Sequence, residues 1–229
     1  MAEQGYHSTQ ALGDSASQFN AIASIVSMLL GRIATATLVR VQAVTTTGAV
    51  APAGYVDILP LVNQVDGAGN AEPHRTIYRV PYFRLYGGSN AVILDPQVGD
   101  IGVAIFADHD ISSAVSNNDP ANASGQRGQA NPGSGRRFSM ADAIYLGGLL
   151  GDAPDQFVRF SAAGIEISST SQVTLQAPDV TIDCDSLTVT ASGDVAINSA
   201  SLTHNGVNVG GTHRHSGVST GGGNTGVPV

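Results

Sequence analysis

Near the end of the chain an arginine sits between two histidines, His213-Arg214-His215. Residues two apart in an extended strand point to the same side, so His213 and His215 face together and Arg214 faces away. One chain then offers two imidazoles, too few to hold a metal ion firmly, whereas three chains around an axis offer six neutral nitrogens, enough for an octahedral site. Imidazole suits iron, nickel, copper and zinc alike. Zinc prefers four ligands, so a six-nitrogen cage disfavours it. Other chemistry-bearing residues point elsewhere. Asp108-His109-Asp110 alternates faces if extended, so its two carboxylates do not converge, and it reads as a turn at a barrel rim. His204 shares parity with Leu202 and reads as a satisfied polar residue rather than a ligand. Cys184, the single cysteine, excludes an intrachain disulfide framework; it shares parity with Val180 and Ile182 and reads as a small buried hydrophobe.

The elements that must position the His pair lie just upstream. From Ser161 onward there is no aromatic residue, and the only basic side chain besides histidine is Arg214. Apolar pairs recur through this stretch: Ile165/Ile167, Val173/Leu175, Val180/Ile182, Leu187/Val189, Val195/Ile197, then Leu202 and Val207/Val209. Each has the two-residue period of a strand with one buried face. Successive pairs step by seven or eight residues, closing to five at the end, and such short repeats cannot bury their apolar face alone. About two apolar residues per strand, at ~1.5–3 kcal/mol each when buried, do not offset ~1–2 kcal/mol of backbone ordering per residue. Three intertwined chains would put every pair in a shared core and pair every strand edge. A one-chain parallel β-helix competes, but its coils need roughly 20 residues or more. The sequence therefore predicts an intertwined homotrimer over 151–209, closed by an apex over 210–229. Asp179, Asp183, Asp185 and Asp194 read as a solvated acidic face.

Upstream, residues 1–31 read as a polar arm and a short helix. Phe19, Ile22, Val26, Leu29 and Leu30 lie on one helical face, with Asp14 or Ser15 as the expected cap and Gly31 as the stop. That face reads as a docking or trimer-contact surface. Residues 32–150 read as an all-β domain with strands at Arg32–Val44, Tyr55–Val65, Thr76–Leu85, Ala91–Leu94, Ile101–Phe106 and Ala143–Leu146. Five or six strands without convincing helices suit a small barrel such as an OB-fold. The Gly/Ser/Asn/Pro-rich stretch from Ser112 to Ser139 reads as a long loop.

Composition narrows the function. Formal net charge is −8, charged residues make up only 12%, and all ten basic residues are arginine, which argues against nucleic-acid binding. No apolar run of membrane-spanning length occurs, and the N-terminus lacks the basic region of a signal peptide.

Three segments carry a family resemblance. Val98-Gly99-Asp100-Ile101-Gly102-Val103-Ala104-Ile105-Phe106 with Asp108-His109-Asp110-Ile111 resembles the end of the barrel domain in baseplate central spike proteins of contractile-tailed bacteriophages. Phe138-Ser139-Met140-Ala141-Asp142-Ala143-Ile144-Tyr145-Leu146-Gly147-Gly148 is similar to the strand that closes that domain. Thr212-His213-Arg214-His215, with Asn224-Thr225-Gly226, resembles the family's apex. Relatives commonly carry arginine where this chain has His109. The resemblance implies a homotrimer with OB-fold bases, a triple-stranded β-helix, and a pointed tip holding one iron ion through His213 and His215 of three chains. It implies a virion protein at the baseplate tip that caps the tail tube, partners the baseplate hub proteins and pierces the host outer membrane without enzymatic activity. A trimeric tail adhesin binding a cell-surface glycan is the alternative, disfavoured by the lack of aromatic residues beyond Ser161. An enzyme ranks third, since neither a catalytic carboxylate pair nor an inserted helical domain is visible, and a six-ligand metal leaves no open position for water. Single-stranded nucleic-acid binding by an OB-fold ranks fourth.

Overall fold

The computed structural model describes residues 17–46, 50–65, 70–120, 127–211, 213 and 217. The chain divides into two units, 1–173 and 174–229. The first opens with α1 (Gln18–Leu30), capped by the Ser17 hydroxyl, which accepts from the Asn20 N–H. The cap is therefore Ser17 rather than Asp14 or Ser15, a position that still satisfies one of the helix's open amides. Gly31 ends the helix in a right-handed conformation, and Arg32 and Ile33 bond back to the Leu29 and Leu30 carbonyls. This closing turn delays the first strand to Ala36.

Five strands make the main sheet: β1 (Ala36–Val44), β2 (Tyr55–Pro60), β5 (Ile77–Pro81), β8 (Ile101–Phe106) and β9 (Ala143–Gly148). Between them lie the short pairs β3 (Gln64–Val65) with β4 (Ala71–Glu72) and β6 (Leu85–Gly87) with β7 (Asn90–Val92). The expected Tyr55–Val65 and Thr76–Leu85 strands are each broken after a proline, Pro60 and Pro81. The order is β5-β2-β1-β8-β9, antiparallel throughout. Register shifts at Val41/Ala43, Val56/Ile58 and Val103/Ala104 add twist and bend the sheet. It curls until Tyr82, just past β5, bridges Tyr145 of β9 in parallel, with the Phe83 N–H donating to the Tyr145 carbonyl at 2.8 Å.

Alternation decides what lies inside the curl. Val39 and Val41 of β1, Val56 and Ile58 of β2, Ala104 and Phe106 of β8, and Ala143 and Tyr145 of β9 are buried together with Val80 and Tyr82. Every second position faces in, the two-residue period of a half-buried strand. Gly102 sits where Cβ would fall 2.1 Å from the Gly147 carbonyl oxygen and 2.4 Å from the Tyr145 hydroxyl; only a glycine lets β8 approach β9 so closely. The fold is all-β apart from short helices. Within the expected 112–139 loop, Ser112–Asn118 forms α2, and a 3-10 turn at Met140–Asp142 leads into β9.

Past the sheet, β10 (Phe157–Ser161) and β11 (Gly164–Ser168) form a hairpin in which Arg159 faces and ion-pairs with Glu166. In the second unit the only strands among the described residues are β12 (Thr203–His204) and β13 (Val207–Asn208). The apolar pairs from Ile165 to Ile197 are all 54–76% exposed. Cys184 is exposed as well, so within one chain it is not the buried hydrophobe its parity suggests.

Candidate functional site

The segment leading to the His pair is shaped by local bonds. Asn205 and Gly206 both have positive φ, 49° and 77°, the pair of left-handed residues that a two-residue hairpin turn requires. Beyond it the Val209 N–H donates to the Leu202 carbonyl at 2.8 Å, and the Gly210 N–H donates to Asn208 Oδ1 at 2.8 Å. His213 is held to the same turn twice: its N–H donates to the Gly210 carbonyl at 3.1 Å, and its Nδ1 lies 2.7 Å from that oxygen. A carbonyl only accepts, so Nδ1 carries a proton, and in the neutral ring the lone pair is then on Nε2. Such an Nδ1–H to carbonyl bond is a common way to fix the tautomer of a metal-ligating histidine, so His213 fits an imidazole ligand presenting Nε2. Arg214 and His215 lie outside the described residues, as do Asn224, Thr225 and Gly226. Among the described residues no group of three or more His, Cys, Asp or Glu comes together to hold a metal, which does not bear on a site assembled from several chains. His204 is exposed in β12.

A Gly-x-Ser-x-Gly spacing, Gly217 to Gly221, also occurs in the closing segment. It carries catalytic weight only between a strand and a helix, and beyond Gly217 it lies outside the described residues.

The Asp108-His109-Asp110 triplet does not gather its carboxylates. Asp108 is exposed and accepts from His109 Nδ1 at 2.8 Å, while Asp110 turns inward. There it receives the Ser112 N–H at 3.0 Å, the Ser134 hydroxyl at 2.6 Å and Arg136 Nη2 at 2.9 Å. The Ser112 side chain, then Ser134 and the Ser112 amide, hold its carboxyl well below the usual carboxylate range. Arg136 also binds buried Asp142, which accepts the Ile111 N–H at 3.2 Å. The second half of the expected loop is thus anchored to the sheet through Arg136.

Beside this anchor lies a cleft of about 560 Å³ lined by Tyr55, Arg79, Ser112, Asp119, Arg136 and Asp142 among others. Arg79 has φ 55°, its N–H donates to Asp57 Oδ1 at 2.9 Å, and its guanidinium lies 4.6 Å from the Tyr55 ring centroid. The Tyr55 hydroxyl donates to Asp119. Burial, reinforced by Asp119, pushes the Tyr55 phenol up. Within the cleft Arg136 pairs with Asp142, and Asp119 accepts from the Tyr55 hydroxyl.

A second polar centre has no place in the sequence reading. Arg84 and Asp95 are both 1% exposed at their side chains. Arg84 Nε and Nη2 donate to Asp95 at 2.9 and 2.6 Å, Nη2 reaches the Tyr82 hydroxyl at 3.3 Å, and Nη1 reaches the Tyr86 hydroxyl at 3.0 Å and the Ala51 carbonyl. Thr46 joins Tyr82 at 2.6 Å and Asp95 at 3.3 Å. Burial alone would raise Asp95, but hydrogen bonds from Arg84, Tyr82 and Thr46 outweigh it and lower the carboxyl. The signal was present: in Tyr82-Phe83-Arg84-Leu85-Tyr86 alternation sets Arg84 on one side with both tyrosines, whose rings it approaches to 6.0 and 5.7 Å.

No family model matches this chain, and no curated protein matches it.

Proposed function

We propose that this chain is the membrane-piercing spike at the tip of a contractile phage tail or related injection machine, acting mechanically and without catalysis. Three copies associate. Their bases, read as OB-folds, sit on the tail tube and baseplate hub proteins; their repeats wind into a triple-stranded β-helix; and His213 and His215 of the three chains hold one iron ion on the axis. Sheath contraction supplies the work, and the spike supplies a narrow body whose strand edges are all paired, driven through the host outer membrane. The metal's part is structural: it ties three chain ends into one point.

The observation that carries this reading is the exposure of every apolar pair from Ile165 to Ile197. Ten large apolar side chains at strand spacing, with no cover from their own chain, describe a surface made for other chains. The base lends support: the order β5-β2-β1-β8-β9, with the parallel bridge between Tyr82 and Tyr145, fits a five-stranded Greek-key barrel. The decisive experiment combines native mass with elemental analysis, on wild type and on the His213→Ala/His215→Ala variant. A trimer with one iron that the variant loses, while remaining a trimer, is expected. A monomeric wild type, or equal metal in both proteins, would overturn the reading. Acid, by protonating imidazole, should release the metal.

A further inference from the structure

Helix α1 contains no charged residue, and none of its residues is buried. Its six largest apolar side chains other than methionine, Phe19, Ile22, Ile25, Val26, Leu29 and Leu30, are 46–79% exposed. Their order is specific. Phe19, Ile22, Val26 and Leu29 step by three, four and three, which are the a and d positions of a heptad. Ile25 and Leu30 fall at the flanking g and e positions, while Asn20, Ser24 and Ser27 fall on the far side. Ile33 would continue the a series one heptad on, where the chain is leaving the helix. Apolar a and d positions with apolar g and e flanks make a broad stripe, wider than a strict coiled-coil seam, the width of a core-facing helix in a bundle or globular fold.

Thirteen residues make a helix that is marginal in water without packing. What covers it must therefore match a row of Phe, Ile, Val and Leu and offer no charge, since the helix has none to answer it. The same row on another copy of the chain meets both conditions, as an interface built on rotational symmetry does.

We propose that α1 forms a short parallel three-helix bundle with the α1 helices of two other copies, clamping the trimer at the end of the chain opposite the His pair. This rests on the trimeric reading above for its number of helices. The a and d residues do not set that number, since Val26 at a with Leu29 at d is the pairing that favours two strands while Ile22 at d departs from it.

The test uses the full chain with Cys184→Ser, so that one introduced thiol is the only one. In one variant Val26→Cys places it in the seam; in the other Ser24→Cys places it on the outer face. Native mass is measured first, then mild oxidation is followed on a denaturing gel. A trimer whose Val26→Cys form gives covalent dimers with one chain in three left single, and whose Ser24→Cys form gives none, is expected. Leu29→Cys, at a d position, repeats the seam result should Val26→Cys assemble poorly. A trimer in which seam and outer positions cross-link equally, or neither does, would overturn the proposal and leave the trimer standing, with α1 covered by a different protein. A monomer would overturn both.

Discussion

Removing the Asp95 carboxylate should unfold the base domain far more readily than a surface change, and the cost follows from the Arg84 site. The Asp95→Ala variant leaves a guanidinium buried with its charge uncompensated, having lost three donor contacts between 2.6 and 2.9 Å. Breaking a buried pair by removing one partner costs about 3–5 kcal/mol. With a urea dependence of about 1–3 kcal/mol per molar, the midpoint should fall by about 2 M. Replacing both members, Arg84→Met with Asp95→Leu, removes the stranded charge and should recover part of the loss. Recovery stays partial, because the Tyr82 and Tyr86 hydroxyls and the Ala51 carbonyl lose their partner. Tyrosine fluorescence is the assay: the chain has six tyrosines and no tryptophan, and none lies beyond Tyr145, so the signal does not report the repeat. An Asp95→Ala midpoint equal to that of wild type, or a double variant less stable than the single one, would refute the argument that an unpaired buried charge sets the cost.

Gly102→Ala should destabilise the base by several kcal/mol, at the upper end of overpacking costs of ~1–3 kcal/mol or more, because its methyl would meet the Gly147 carbonyl; the same urea titration checks it. Asp110 has a depressed carboxyl in the fold, so it favours folding above the ordinary carboxylate range, and that contribution is lost as pH falls through the depressed value; Asp110→Asn should therefore flatten the acid limb of a stability–pH curve. Val180→Asp or Ile182→Asp should abolish trimer assembly in native mass spectrometry, whereas Thr181→Asp, on the opposite face of the strand proposed there, should leave it intact.

The β-character of the base and its inward residues were legible because one face of the sheet is buried and the other is not. Val39/Val41 and Val56/Ile58 announce themselves by alternation alone. Ser112–Asn118 was not legible: seven residues rich in serine and asparagine have low helix propensity, and the nearby Arg136 bonds to Asp110 and Asp142 fix how that region meets the sheet. Those partners lie 26 residues or fewer away but follow no local period. Arg84 and Asp95 were missed for a related reason. An arginine in a run of aromatics reads as the polar side of a strand until the chain folds back and brings Asp95, Thr46 and Ala51 around it. For His213 the sequence offered only spacing, and the structure adds the Gly210 carbonyl to which its Nδ1 bonds.

The bridge between Tyr82 and Tyr145 also orders events in time. During synthesis β1 emerges first and takes β2 as its neighbour, β5 adds to β2, and β8 later adds to the other side of β1, so the sheet grows outward from its oldest strand. Its seam joins segments separated by the whole of β6 to α2, and closing so long a loop costs entropy that no early contact repays. Until β9 arrives, the nascent sheet holds Val39, Ile58 and Val80 against an open side, a state open to wrong partners. A translational pause once Gly148 has cleared the ribosomal exit tunnel would give the seam time to shut before the apolar repeat follows it out of the ribosome.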